Sequence, residues 1–268
     1  MPQPPARLTP RDILYCGPHR LEFLRRRRQK HIYLRVHRTG KILLTAGYRT
    51  PNSAIHHFLV GRERWLCDTL ERLAQEERRW ADWFLGSGGK VLFLGREFKI
   101  CVEPVAPGGR PRVVTRGADL VVYEAGPVLG KGAVANSEGS PQEVLAARVR
   151  RQILSFFAQQ AKLVLRHRVN IFASQLGVAP QRLRFSAQRS RWGSCSATGT
   201  ISLNWGLALA PLAVIDYVVI HELAHLKHLN HSRKFWALVG EACPHFKDAK
   251  VWLRAHGSLI ERLLFSTP

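Results

Sequence analysis

The stretch His221-Glu222-Leu223-Ala224-His225 constrains this chain more than any other segment. On a helix, positions four apart share one face with side chains about 6 Å apart, so both imidazoles can reach one ion at roughly 2.1 Å. Glu222 then points beside the ion rather than at it. From there it can take a proton from a metal-bound water, whose acidity Zn²⁺ raises enough to make hydroxide available near neutral pH. The residue set fits metal-assisted hydrolysis.

So short a pattern also arises by chance, and its context decides its weight. Val214-Ile215-Asp216-Tyr217-Val218-Val219-Ile220 reads as the buried part of a helix, with Pro211 suited to its first turn. Two histidines and a glutamate on such a helix are costly to desolvate unless something satisfies them, and a metal does so. The competing reading is a pair of hydrogen-bonded core histidines.

A third ligand is needed if one coordination position is to stay open for water. His228 continues the helical face, but lies about 10 Å of rise beyond His221 and does not suit the same ion. His231 follows Leu229-Asn230, and Asn readily adopts the left-handed conformation that turns a chain back. That bend would deliver His231 to the metal. Glu241, on a following helix, is the alternative.

Arg191-Trp192-Gly193-Ser194-Cys195, Ile201-Ser202-Leu203-Asn204-Trp205, Pro211, Asp216-Tyr217-Val218-Val219, His221 to Leu226, Asn230-His231-Ser232 and Phe235-Trp236 together resemble the YgjP-like metallopeptidase family. That family is similar in turn to the SprT-like and WLM zinc proteases. The resemblance is strong from about Gln142 to His256 and weaker over Ile32 to Leu73. It implies that His221, His225 and His231 hold Zn²⁺ and that Glu222 is the catalytic base. One departure is Arg233, where the family usually carries a proline; the change bears on the start of the next helix more than on the metal.

At 268 residues the chain can bury a core in one large or two small domains. The N-terminus, Met1 to Asp12, has no apolar signal segment. The longest apolar region, Leu203 to Ile220, is interrupted by Asn204, Pro211 and Asp216, which argues against a membrane span. Five cysteines, odd in number and without a CxxC pair, argue against a disulfide framework and against a cysteine zinc site. A reducing cytoplasm fits. The formal charge of +22, from 41 basic against 19 acidic residues, attracts polyanions. Arg25 to Arg28, the group Arg148, Arg150 and Arg151, and the series Arg182, Arg184, Arg189 and Arg191 concentrate it. Nucleic acid is the natural partner to test, against plain arginine enrichment of the surface.

Residues 1–18 read as a loose leader. Residues 19–135 form a β-rich region with strands over Arg20–Leu24, Ile32–His37, Lys41–Ala46, Val91–Leu94, Glu97–Val102, Arg112–Thr115 and Leu120–Tyr123. Its one long helix starts at Asn52 or Ser53 and runs to about Trp83. The Gly- and Ala-rich stretch from Gly126 to Pro141 is the expected connector. Residues 136–268 open with a helix over Pro141–His167, continuing with a break through Ser174 and packing on the metal helix. Leu183–Gln188 and Thr200–Trp205 then form a strand pair. The expected fold is α+β: a zincin-like metallopeptidase core with that strand pair before the HExxH helix, plus the β-rich N-terminal region.

Ile201 to Asn204 is the candidate edge strand for holding an extended peptide, set against an ordinary sheet strand. Ser194 and Arg191 are candidates to face the site, Arg191 to offset charge on a tetrahedral intermediate. Trp192, Trp205 and Cys195 read as packing residues, and Ser232 as the cap of the helix carrying Phe235 and Trp236. The leading expectation is a zinc-dependent peptidase acting on peptides or proteins. Two alternatives keep the same site: a nucleoside triphosphate phosphohydrolase, and a DNA-associated protease.

Overall fold

A computed structural model describes residues 14–37, 40–106, 108–124, 140–189 and 191–265. The chain divides into two compact units, Met1–Ala81 and Asp82–Pro268. Residues 125–139, where the sequence puts its connector, lie outside the described residues.

The first unit is a four-stranded sheet of β1 (Leu14–Cys16), β2 (His19–Arg26), β3 (Tyr33–Val36) and β4 (Ile42–Gly47), in the order β1-β2-β4-β3. β1 falls inside the stretch read as a leader: Leu14 and Cys16 are buried and pair back on β2 across Gly17-Pro18. β3 and β4 pair antiparallel, and Arg38 and Thr39 between them are outside the described residues. The helical stretch is two helices, not one. α1 (Asn52–Val60) is preceded by Pro51 and ends at Gly61, and α2 (Glu63–Arg79) follows. Ile55, Leu59 and Leu66 are buried with Leu21, Phe23, Ile42 and Leu44 in one apolar cluster.

The second unit opens with β5 (Lys90–Phe93), β6 (Arg96–Pro104), β7 (Arg112–Arg116) and β8 (Asp119–Glu124), ordered β5-β6-β8-β7. Leu94 and Gly95 both have positive φ, as a tight two-residue hairpin requires. A Cβ on Gly95 would sit 2.8 Å from the Cα of Pro211, so this turn can abut the start of the helix after Pro211 only as glycine.

α3 (Pro141–Leu176) is one unbroken helix of 36 residues. Ser140 and Glu143 form a capping box at its start and Gly177 ends it in the left-handed conformation. The expected break after His167 is absent because the buried stripe runs on through Val149, Ile153, Phe157, Ala161, Leu165, Val169, Phe172 and Leu176. This stripe packs against α4 (Leu212–Ala224), as expected, and against the 3-10 helix Trp205–Leu209. The Arg168 guanidinium also donates to both oxygens of Asp216 on α4, at 2.5 and 2.8 Å.

Between α3 and α4 lies a three-stranded sheet of β9 (Arg182–Ser186), β10 (Gly193–Cys195) and β11 (Thr200–Asn204), ordered β10-β11-β9. β9 and β11 run parallel, so the hairpin at Ser196–Gly199 joins β11 to β10, a strand the sequence reading lacked. α5 (Arg233–Ala242) and α6 (Phe246–Phe265) complete the unit. The architecture is mixed α+β. Among the described residues no helix is long and apolar enough to cross a membrane.

Candidate metal centre and active-site cleft

α4 is apolar on nearly all sides, with Val214, Ile215, Val218, Val219, Ile220 and Leu223 buried, and it carries His221 and Glu222 into the interior. The helix ends sooner than expected: His225 is its C-cap, and Leu226 to His228 form a turn on the carbonyls of Leu223 and Ala224. The chain therefore reverses before Asn230, and His228 leaves the helical face altogether. Its carbonyl oxygen lies 3.1 Å from Nδ1 of His225. If that nitrogen carries the proton, Nε2 is left with its lone pair free, the usual way an imidazole is oriented for a cation.

His231 comes back to meet the helix, its Nε2 3.1 Å from Nε2 of His221. One nitrogen from each of His221, His225 and His231 lies within 4.8 Å of the others. Two ligands of a tetrahedral zinc site, each about 2.1 Å from the ion, stand roughly 3.4 Å apart, and the His221–His231 pair at 3.1 Å comes close to that spacing. Glu241 is exposed and is not part of this group.

Phe235 is fully buried, and its ring centroid is 5.0, 4.6 and 4.8 Å from those of His221, His225 and His231. Trp236 and Phe246 extend the aromatic wall, with Tyr217 stacked on Phe246. The Ser232 hydroxyl accepts from the Phe235 amide, fixing the start of α5 next to His231 as expected. Burial disfavours imidazolium at His221 and His225. Burial, with the charges of His225, His231 and Lys250, pushes His221 down to about 4, and burial also lowers His225. Neutral rings with lone pairs are what cation binding needs. Nδ1 of His221 is buried without a hydrogen-bond partner among the described residues.

Glu222 is the one buried acid of α4, and burial pushes it up to about 7, with the Arg191 guanidinium opposing the shift. A carboxyl poised near neutrality can both accept and return a proton. It lies directly beneath β10: a Cβ placed on Gly193 would sit 2.6 Å from its Cγ and Oε1. The sequence gives no sign of this close approach beyond a glycine between Trp192 and Ser194.

The cleft over these groups holds about 380 Å³ and is lined by Arg191, Gly193, Ser194, Cys195, His221, Glu222, His225, Leu229 and His231. The expected edge strand is displaced by one position in the sheet. Ile201–Asn204 is the central strand, paired on both sides, with Ile201 and Leu203 fully buried. Asn204 spends its side chain on the carbonyls of Gln188 and Arg191 and on the Gly206 amide, which is scaffolding rather than ligand contact. β10 and β9 are the two edges of this sheet, and β10 is the one that borders the cleft. The Ser196 amide donates to Thr200 and the Asn204 amide to Trp192 across the hairpin, so by antiparallel alternation the backbone groups of Gly193 and Cys195 point outward. The same alternation puts the Ser194 side chain on the opposite face from Glu222. Cys195 shares the Glu222 face, and burial together with that carboxylate pushes its thiol up, which suits a packing residue and not a nucleophile.

The family profile described as YgjP-like, metallopeptidase domain matches residues 30–256 of the chain. The chain belongs to the YgjP-like metallopeptidase family. Two metallopeptidase zymogens of known structure are similar to parts of it. Abylysin of Pyrococcus abyssi is 26% identical with a TM-score of 0.32, over 35% of this chain and 94% of its own. Jannalysin of Methanocaldococcus jannaschii is 21% identical with a TM-score of 0.30, over 34% of this chain and 96% of its own. No curated protein matches.

Proposed function

We propose that this family member is a zinc-dependent peptidase in which His221, His225 and His231 hold the ion and Glu222 is the general base. One observation carries the reading: three imidazole nitrogens converge beside a buried carboxyl, under the free edge of a strand. Three imidazoles suit Zn²⁺ and leave a coordination position for water. When bound, the ion supplies a Lewis acid for the scissile carbonyl and lowers the pKa of a water.

The residues of the chain do the rest. Outward backbone groups of Gly193 and Cys195 hold the peptide extended, as strand addition requires. Glu222 accepts the proton of the attacking water and returns it to the leaving amine. The Arg191 guanidinium offsets negative charge as the carbonyl carbon becomes tetrahedral. A free strand edge serves a polypeptide, which favours peptides over nucleotides as substrate. The described cysteines are free, in keeping with a reducing compartment, and we place the activity in the cytoplasm.

The test is hydrolysis of unfolded casein by metal-loaded wild-type and Glu222→Gln proteins, with nucleoside triphosphates in the same panel. The variant should retain zinc and lose at least about 10³-fold in turnover, a loss in the range expected for a positioned base. Casein turnover by Glu222→Gln at the wild-type rate would refute the base, and triphosphate turnover without proteolysis would refute the substrate class. A DNA-associated form of the activity predicts stimulation by DNA at low salt, which the charge of +22 would favour.

A further inference from the structure

β10 runs from Gly193 to Cys195 and then, through Ser196, into the wall of a second recess of about 600 Å³. This recess shares His225 and Leu229 with the metal cleft, so the two adjoin. Its floor and walls are built largely from small residues, among them Gly177, Ala197 and Gly199, which leave room for a side chain. Leu229, at the junction, is 74% exposed, an apolar surface placed where a substrate would cover it. Apart from His225, the recess is lined by one charged residue, Lys227, which is exposed and makes no ion pair among the described residues.

We propose that this recess is the subsite for residues preceding the scissile bond, with Leu229 contacting an apolar side chain and Lys227 selecting an acidic one. The inference rests on the peptidase reading above. Its polarity follows from the strand. A peptide added antiparallel to β10, the more stable pairing, runs opposite to Gly193→Cys195 and so enters from the recess. Its N-terminal portion therefore lies over Leu229 and Lys227, and its C-terminal portion passes toward Arg191. The charge of the whole molecule attracts acidic peptides without regard to register, whereas Lys227 acts on one side of the cut.

The test is reduced, unfolded casein digested by metal-loaded wild-type, Lys227→Glu and Lys227→Arg proteins, with cut sites read by mass spectrometry. Wild type and Lys227→Arg should be enriched in Asp and Glu among the residues before the cut. In Lys227→Glu that enrichment should give way to Lys and Arg, a swing on the order of tenfold for reversing one exposed charge. Anisotropy of fluorescent acidic and basic decapeptides on Glu222→Gln protein, with and without Lys227→Glu, should show the same swing in Kd without turnover. An acidic preference after the cut, or site frequencies and Kd values unmoved by Lys227→Glu, overturns the subsite and leaves the peptidase intact. Casein left uncut by every protein removes the peptidase reading and this inference together.

Discussion

Gly193 and Glu222 occupy each other's space: a single methyl group on the strand residue would stand 2.6 Å from the Cγ and Oε1 of the carboxylate. The contact joins the strand edge that would hold substrate to the group that would move its proton. Gly193→Ala must therefore displace one of them. We expect turnover to fall at least tenfold while zinc content is unchanged, because none of the three histidines touches Gly193 in this way. Metal analysis beside casein kinetics checks the pair of outcomes.

The metal-free protein should report Glu222 through its stability. The folded pKa of Glu222, about 7, is raised above its ordinary 4.5, so its contribution is full below 4.5 and is lost as pH rises through 7. The folded pKa of His221, about 4, is depressed below 6.5, so its contribution is full above 6.5 and is lost as pH falls through 4. The two slopes oppose each other over most of this range, and the wild-type profile should be shallow. Glu222→Gln removes one slope. Relative to wild type, the chelated variant should gain on the order of 3 kcal/mol between pH 4.5 and 8. Denaturant titrations at the two pH values measure it, and a constant difference would contradict the burial argument.

Arg168 and Asp216 tie α3 to α4 through two charge-assisted bonds in a half-buried setting. Removing one partner leaves the other charge without compensation, so Asp216→Ala should cost about 2–3 kcal/mol. For a unit of this size the melting temperature should fall by several degrees. Zinc bound per folded molecule should be unchanged, since neither residue reaches the cleft.

The convergence of the histidines is legible because most of their spacing is local. His221, Glu222 and His225 are read from one helical turn, and the need for a chain reversal before His231 follows from the same spacing. The turn itself came sooner than Asn230 suggested, as the helix stops at His225 to let its ring meet the His228 carbonyl. What escaped reading is set by partners distant in sequence. Gly193-Ser194-Cys195 has too few residues and no β-branched side chain to announce a strand, and only its pairing with Ile201–Leu203 makes it one. Without β10, the peptide-holding edge was assigned to Ile201–Asn204, which the fold buries. α3 was expected to break near Arg168 for a similar reason: the stabilising partner, Asp216, lies on another helix. The split of α1 from α2 at Gly61-Arg62 is the reverse case, a real stop inside the stretch expected as one long helix.

If His221, His225 and His231 hold a divalent ion, removing one of them must release it. Zinc stoichiometry of purified wild-type, His231→Ala and Glu241→Ala proteins, after equal loading and dialysis, measures this. About one zinc per chain is expected in wild type and Glu241→Ala, and a loss of most of it in His231→Ala. Full zinc in His231→Ala with depletion in Glu241→Ala would contradict that assignment.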